Sequence, residues 1–264
     1  MTRLDYKNLY DIFICGGPEH FDMLRQLLPK LHPFGRLHLA SITLTKAQLK
    51  ELSRCCDVVH KPQHDPDGYL NFNLFCIRDL HALAEAPFFI KLDADVILQD
   101  YWITHVDEWI AKYPDGVLWG IKEGVARINI ELTGPLVRKK LGSDIRVING
   151  RKVIGGFCVG RTDFFKQHHR LMQIIHELCY CFENGRRHRP SPHPELWPES
   201  NELDHEWFEL AGDYRDLQRI GNEDTLRSPV LHAAGAADRM FVLDSKGAIR
   251  VPHGPGFGHP RNWP

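Results

Sequence analysis

The chain lacks an uninterrupted apolar run of about 18 residues, so no membrane-spanning helix is expected. Its first residues, Met1-Thr2-Arg3-Leu4-Asp5-Tyr6-Lys7, carry no apolar signal-peptide core. An excess of either charge is missing too: 33 basic and 34 acidic side chains leave a formal net charge of −1. That balance provides no electrostatic footprint for nucleic acid. Arg186-Arg187-His188-Arg189 is a local basic run that also reads as a solvated loop. The seven cysteines include the adjacent Cys55-Cys56 and the near pair Cys179 and Cys181, but no Cys-x-x-Cys. Neither a zinc ribbon nor a thioredoxin-type motif is therefore supported. Without a secretory signal, reduced thiols and a cytoplasmic location are the expectation. Internal repeats and an evident linker are also missing.

The 264 residues suit one large domain better than two small ones. Hydrophobic residues at 43% and charged residues at 25% match a globular chain. Tyr10 to Cys15 reads as a buried strand closed by Gly16-Gly17-Pro18. The spacing of Phe21, Leu24, Leu27, Leu28 and Leu31 predicts a helix over roughly 19–31. Arg36 to Thr43 reads as a second strand, Thr45 as a helix N-cap, and Asp57 to His60 as a short third strand. A loop over 61–68 and a helix over about 70–84 lead to a fourth strand. The order β-α-β-α-β-α-β predicts a parallel, doubly wound sheet with helices on both faces. Beyond residue 100 the pattern is less regular. Strands are expected near 117–120, within 145–159, at 240–243 and at 249–251, with helices over 163–181, 203–210 and 223–234. Residues 183–200, with four prolines, read as a long loop.

The fourth strand, Phe88 to Leu98, carries Asp93 and Asp95 one residue apart. On a strand, positions i and i+2 point the same way, so both carboxylates are expected to face one hard cation. Acidic residues at a strand end also serve simply to solvate a turn. The apolar runs on either side favour the functional reading. In doubly wound sheets ligands bind outside the carboxyl ends of the strands, which is where this pair falls.

The order of motifs resembles the GT-A class of nucleotide-sugar-dependent glycosyltransferases over roughly residues 9–259. The matching pieces are the N-terminal βαβ half, Lys91-Leu92-Asp93-Ala94-Asp95, Ile154-Gly155-Gly156-Phe157, Gly221-Asn222-Glu223-Asp224 and Val251-Pro252-His253-Gly254. The resemblance implies one GT-A-like (Rossmann-like) α/β domain over 1–264, with a mostly parallel central sheet and helices on both faces. Residues of about 9–100 would form the nucleotide-binding half, and about 101–264 the acceptor-binding half and tail. It implies metal-dependent transfer of a sugar from a nucleotide sugar, UDP-sugar by base rate, to a glycan or other hydroxyl acceptor, as in polysaccharide biosynthesis. Mn²⁺ or Mg²⁺ would neutralise the diphosphate leaving group. Asp95 would be the direct ligand, Asp93 a ribose or water-mediated metal contact, and His253 a third metal or diphosphate ligand. His232 and His259 are rivals for that last place.

Cys15, Gly16 and Gly17 sit where the class binds the nucleoside. Asp57 could hydrogen-bond the base and Arg78 could reach the phosphates. Gly155 and Gly156 would admit the donor sugar, or form an ordinary bulge. Asp224, with Glu223 beside it, would be the general base of an inverting displacement; a helix start is the competing reading. The tail His253-Gly254-Pro255-Gly256-Phe257-Gly258-His259-Pro260 is similar to the His-x-x-Gly-x-x-Lys-Pro-Trp signature of the retaining, glycogenin-like branch. His259 replaces its diphosphate-binding lysine and Trp263 is displaced, so inversion is favoured. Trp197, His205, Trp207 and Phe208 are acceptor-stacking candidates or core, with Glu202, Asp204 and Glu206 nearby.

Rival readings fit less well. A haloacid dehalogenase-type phosphatase also uses an apolar strand followed by Asp-x-Asp, and Gly212-Asp213-Tyr214-Arg215-Asp216 resembles its downstream acidic motif. Its nucleophile, however, lies on the first strand, and its second Asp is followed two positions on by Thr or Val, where Ile97 stands here. A nucleotidyltransferase needs a basic glycine-rich loop that Gly16-Gly17-Pro18-Glu19-His20 does not supply. A non-catalytic sugar-binding module would not need Glu223-Asp224.

Overall fold

Every side chain of Tyr10–Cys15 (β1) is buried, as expected of a strand covered on both faces in a parallel sheet. The computed structural model describes residues 3–41, 44–60, 80–121, 123–127, 149–153, 156–169, 171, 230–231 and 234–251. A helix, α1 (Arg3–Leu9), precedes β1. Then come α2 (Phe21–Leu31), β2 (Arg36–Ala40), α3 (Lys46–Leu52), β3 (Val58–His60), α4 (Leu80–Leu83) and β4 (Phe88–Asp93). The second half holds β5 (Ile97–Leu98), α5 (Trp102–Lys112), β6 (Leu118–Gly120), β7 (Glu123–Arg127), β8 (Asn149–Val153), β9 (Phe157–Arg161), α6 (Thr162–Gln167), β10 (Met240–Val242) and β11 (Ile249–Arg250).

Seven of these strands form one sheet in the order β10-β6-β9-β4-β1-β2-β3. β4 is the middle strand; β1 is parallel to both β2 and β4, β3 is parallel to β2, and β10 is parallel to β6. β9 runs antiparallel to its neighbours β4 and β6, so the sheet is mostly parallel. β7 and β8 form a separate antiparallel pair, as do β5 and β11.

Alternation along the strands feeds two faces. Ile12, Ile14, Leu37, Leu39, Ile90 and Leu92 enter the core that holds Leu24, Leu27, Leu28 and Leu31 of α2 and Trp102, Val106 and Trp109 of α5. The helical residues recur at the i, i+3, i+4, i+7 spacing of one apolar stripe. On the other face Phe89 meets Phe165 of α6 edge-on at 5.3 Å, and His81 of α4 lies against the same ring. Helices therefore cover both faces, as the alternating pattern predicts. Thr45 caps α3 through a reciprocal box: Gln48 N–H donates to Thr45 Oγ1 at 3.2 Å, and Thr45 N–H donates to Gln48 Oε1 at 3.0 Å.

The sequence reading differs from the structure at several ends. β2 stops at Ala40 rather than Thr43. α6 starts at Thr162, and a turn follows at His168; residues 172–181 of the expected helix lie outside the described residues, as do the loop at 183–200 and the helix at 203–210. α1 and α5 are elements the sequence reading did not assign. Among the described residues no helix is long and apolar enough to cross a membrane.

Candidate functional site at the carboxyl edge of the sheet

The parallel strands β1, β2, β3 and β4 end at Cys15, Ala40, His60 and Asp93. Register sets Cys15 between Ala40 and Asp93, so these ends share one edge. Cys15 is buried, and Gly16 N–H donates to Ala40 O at 3.3 Å. A Cβ on Gly16 would come within 2.7 Å of Leu24 Cδ1, so α2 packs tightly on the turn leaving β1.

At the end of β4 the expectation for the two aspartates needs correction. The strand stops at Asp93, and Val96 N–H donates to Asp93 O at 3.2 Å across a turn at Ala94-Asp95. Asp95 is thus placed by a turn and not by the pleat. The physical reason lies in the residues that follow. Ile97 and Leu98 leave the main sheet to pair antiparallel with β11, with Ile97 opposite Arg250 and Leu98 opposite Ile249. Asp95 is 8% exposed and, with Lys30 and Gln26 of α2, lines a cavity of about 380 Å³.

Asp93 is held from two sides. Its N–H donates to Gly156 O at 2.9 Å, and its Oδ1 accepts from Lys91 Nζ at 2.5 Å. The Lys91 side chain is fully buried, whereas that of Asp93 is 24% exposed. Gly156 permits a close approach: a Cβ there would lie 2.4 Å from Val251 Cγ1 and 3.4 Å from Asp93 Oδ2. Val251, the residue after β11, and the Asp93 carboxylate therefore both flank Gly156.

The structure brings together Cys15, Gly16, Asp93, Asp95 and Gly156. It does not bring Asp57 to them. Asp57 stands before β3, at the amino end of the strands. There its Oδ2 accepts from Leu37 N–H at 2.9 Å and its Oδ1 from Lys7 Nζ at 2.7 Å. Burial works against its ionisation, but these two bonds outweigh it and hold the carboxyl below its usual range. The expected contact from Asp57 to a base does not fit that position. Arg78, Gly155, Glu223, Asp224, His253 and His259 lie outside the described residues, as do His232 and the acceptor candidates between Trp197 and Phe208.

The sequence reading missed a buried polar chain on the face opposite α2. Asp11 Oδ1 accepts from His38 Nε2 at 3.1 Å, and His38 Nδ1 lies 3.0 Å from His60 Nε2. Asp11 also accepts from Arg36 Nε at 2.7 Å and from the backbone N–H groups of Glu85 and Ala86. Burial opposes its ionisation, yet the bonds from His38, Ala86, Arg36 and Glu85 hold its carboxyl at about 2. One signal was available: Asp11 and His38 are polar residues inside otherwise apolar strands.

Two carboxylates at one tight turn offer the hard oxygen donors that Mn²⁺ and Mg²⁺ take. The close packing of Gly156 on Asp93 leaves that edge without an intervening side chain. Among the described residues no three His, Cys, Asp or Glu side chains converge on one point. The residues present fit part of such a site, and a third ligand has to come from elsewhere.

The molecule is thus a doubly wound α/β protein with an acidic turn at the carboxyl edge of its sheet. No protein-family model and no curated protein matches the chain. Among solved structures it is similar to mouse xyloside xylosyltransferase 1 in its apo form, with 15% identity and a TM-score of 0.41 over 89% of this chain and 85% of that one. It is similar to Staphylococcus aureus TarS, with 10% identity and a TM-score of 0.46 over 91% of this chain, but it spans only 36% of TarS. A third similar structure is glucosyl-3-phosphoglycerate synthase from Mycobacterium tuberculosis in complex with phosphoglyceric acid, with 11% identity and a TM-score of 0.38 over 80% of this chain and 85% of that one.

Proposed function

We propose that the protein is a metal-dependent glycosyltransferase. It would move a sugar from a nucleotide sugar, with UDP as the nucleotide, to a carbohydrate hydroxyl, as one catalytic domain over residues 1–264. The observation that carries this reading is the meeting of Asp93, Gly156 and Val251 at the carboxyl edge. The β5–β11 pairing draws the C-terminal segment onto the acidic turn, and the segment reaches His253 two residues beyond Val251. A third ligand close in sequence to that meeting point is what the two carboxylates lack. Three strands precede β4 in the chain, which counts against a phosphatase that places its nucleophile on the first strand.

In this reading Asp95 and His253 hold Mn²⁺ or Mg²⁺, and Asp93 holds the ribose or a water on the ion. The ion, when bound, supplies positive charge to the departing diphosphate. Lys91 keeps the Asp93 carboxylate in one orientation through its hydrogen bond. Cys15 and Gly16 line the nucleoside side of the edge, while Arg78 and His259 serve the phosphates and Gly155 the donor sugar. Asp224, assisted by Glu223, takes the proton from the acceptor hydroxyl as that oxygen attacks the anomeric carbon from the face opposite the leaving group, so configuration inverts.

Isothermal titration of UDP into wild-type and Asp95→Ala protein, with and without Mn²⁺, tests the reading. Binding to wild type should require Mn²⁺ and should be lost in the variant. UDP binding that is indifferent to the metal would sink the assignment of Asp95.

A further inference from the structure

Lys91 stands at a strand position where an apolar side chain would serve. It lies on β4 in register with Phe13 of β1 and Cys158 of β9, and its side chain is fully buried. Burying an ammonium is costly, and replacing a buried ion pair by well-packed apolar residues is often neutral or stabilising. Stability therefore gives no reason for a charge at this position. The acidic turn does. Lys91 and Asp93 are two residues apart on one face of the strand, and Lys91 Nζ donates to Asp93 Oδ1 at 2.5 Å.

This charge alters what the turn can hold. Asp93 and Asp95 each bring a carboxylate, and Lys91 sets a positive charge against them. A divalent ion that approaches by itself competes with the ammonium for Asp93 Oδ1 and is repelled by it. Burial of Lys91 leaves that repulsion poorly screened. A nucleoside diphosphate carries more negative charge than a divalent ion offsets, so the complex of the two is still an anion. Two uncompensated carboxylates repel such an anion, and the ammonium behind them weakens the repulsion. The same side chain thus disfavours the bare ion and favours the ion that arrives with its diphosphate.

We propose that Lys91 makes the acidic turn a receptor for the preformed metal–nucleoside diphosphate complex and not a preloaded metal site. Lys91 is a positioning residue that acts through the Asp93 carboxylate. The inference rests on the glycosyltransferase reading and deepens it, because it states the form in which the donor's diphosphate and its ion enter.

Two measurements on wild-type and Lys91→Met protein test it. Binding of Mn²⁺ alone is followed by the electron paramagnetic resonance of the free ion, and binding of UDP in excess Mn²⁺ by isothermal titration. The variant should bind Mn²⁺ alone more tightly than wild type, by roughly tenfold or more, and should bind UDP with Mn²⁺ more weakly. A side chain that only supports the fold would not move the two affinities in opposite directions. UDP binding to wild type that is absent, or indifferent to Mn²⁺, overturns the metal-dependent glycosyltransferase reading together with this inference. Metal-dependent UDP binding in wild type, with the variant's affinity for Mn²⁺ alone unchanged or lower, overturns this inference alone. So does UDP binding that is unchanged or tighter in the variant. If Lys91→Met does not fold, Lys91→Gln, which keeps a donor for Asp93 and removes the charge, takes its place with the same outcomes. Wild type by itself also decides. Mn²⁺ held without nucleotide more tightly than UDP is held with Mn²⁺ overturns the inference, and the reverse order supports it.

Discussion

At the residue scale, Lys91 couples the proposed binding group Asp93 to the stability of the fold. Lys91 lies in the middle of a buried strand, in register with Phe13 and Cys158, where an ammonium is costly to hold. The Asp93 carboxylate faces it at 2.5 Å. Replacing Asp93 by Ala removes that counter-charge, and losing one partner of a buried pair costs about 3–5 kcal/mol. Partial exposure of Asp93 argues for the lower end. Loss of activity in Asp93→Ala would therefore mix unfolding with lost chemistry. Urea denaturation should show Asp93→Ala unfolding earlier than wild type, and the double variant with Lys91→Met recovering much of the difference. Equal midpoints for wild type and Asp93→Ala would mean that the pair contributes nothing to stability.

At the scale of elements, α3 is a case in which local chemistry alone explains a boundary. The Thr45–Gln48 box satisfies two backbone or side-chain donors at the first turn, and only Leu52 of the helix is buried. With so little packing, the cap matters: Thr45→Ala should destabilise the fold by about 0.5–2 kcal/mol, measured by chemical denaturation, without changing UDP binding. Local signals of this kind were legible in the sequence. The apolar runs of β1, β2 and β4 and the stripe of α2 follow from short-range periodicity. Pairings between distant segments were not legible. The antiparallel insertion of β9 between β4 and β6, and the partnership of Ile97 with Arg250, depend on residues far apart in sequence. The position of Asp95 was misread for that reason, because the strand pattern continues through Val96 to Leu98 while the chain turns away to meet β11. Asp57 opens its strand in the sequence, so the carboxyl-edge rule already placed it at the opposite end from Asp93, and the base contact suggested for it was at odds with that rule. The carboxyl-edge location of Asp93 followed from topology, whereas the Asp11–His38–His60 chain required three strands in register.

At the scale of the whole molecule, Asp11 joins three segments. It receives Arg36 and His38 from β2 and the N–H groups of Glu85 and Ala86 just before β4, while sitting on β1 itself. β1 is thereby tied to its β2 neighbour and to the segment leading into β4. The carboxyl titrates at about 2 in the fold against 3.8 for an ordinary aspartate. Because the folded value is the lower one, the ionised form is favoured by folding. The resulting stability is fully present above about pH 4 and is lost as pH falls through about 2. A shift of this size corresponds to something on the order of 2 kcal/mol. Asp11→Asn removes the charge at every pH, so its deficit relative to wild type should be largest near neutrality and should shrink toward pH 2. Urea midpoints measured for both proteins from about pH 2 to pH 7 provide the check. Parallel curves, with the same deficit at both ends of the range, would show that the Asp11 clamp acts through packing and not through its charge.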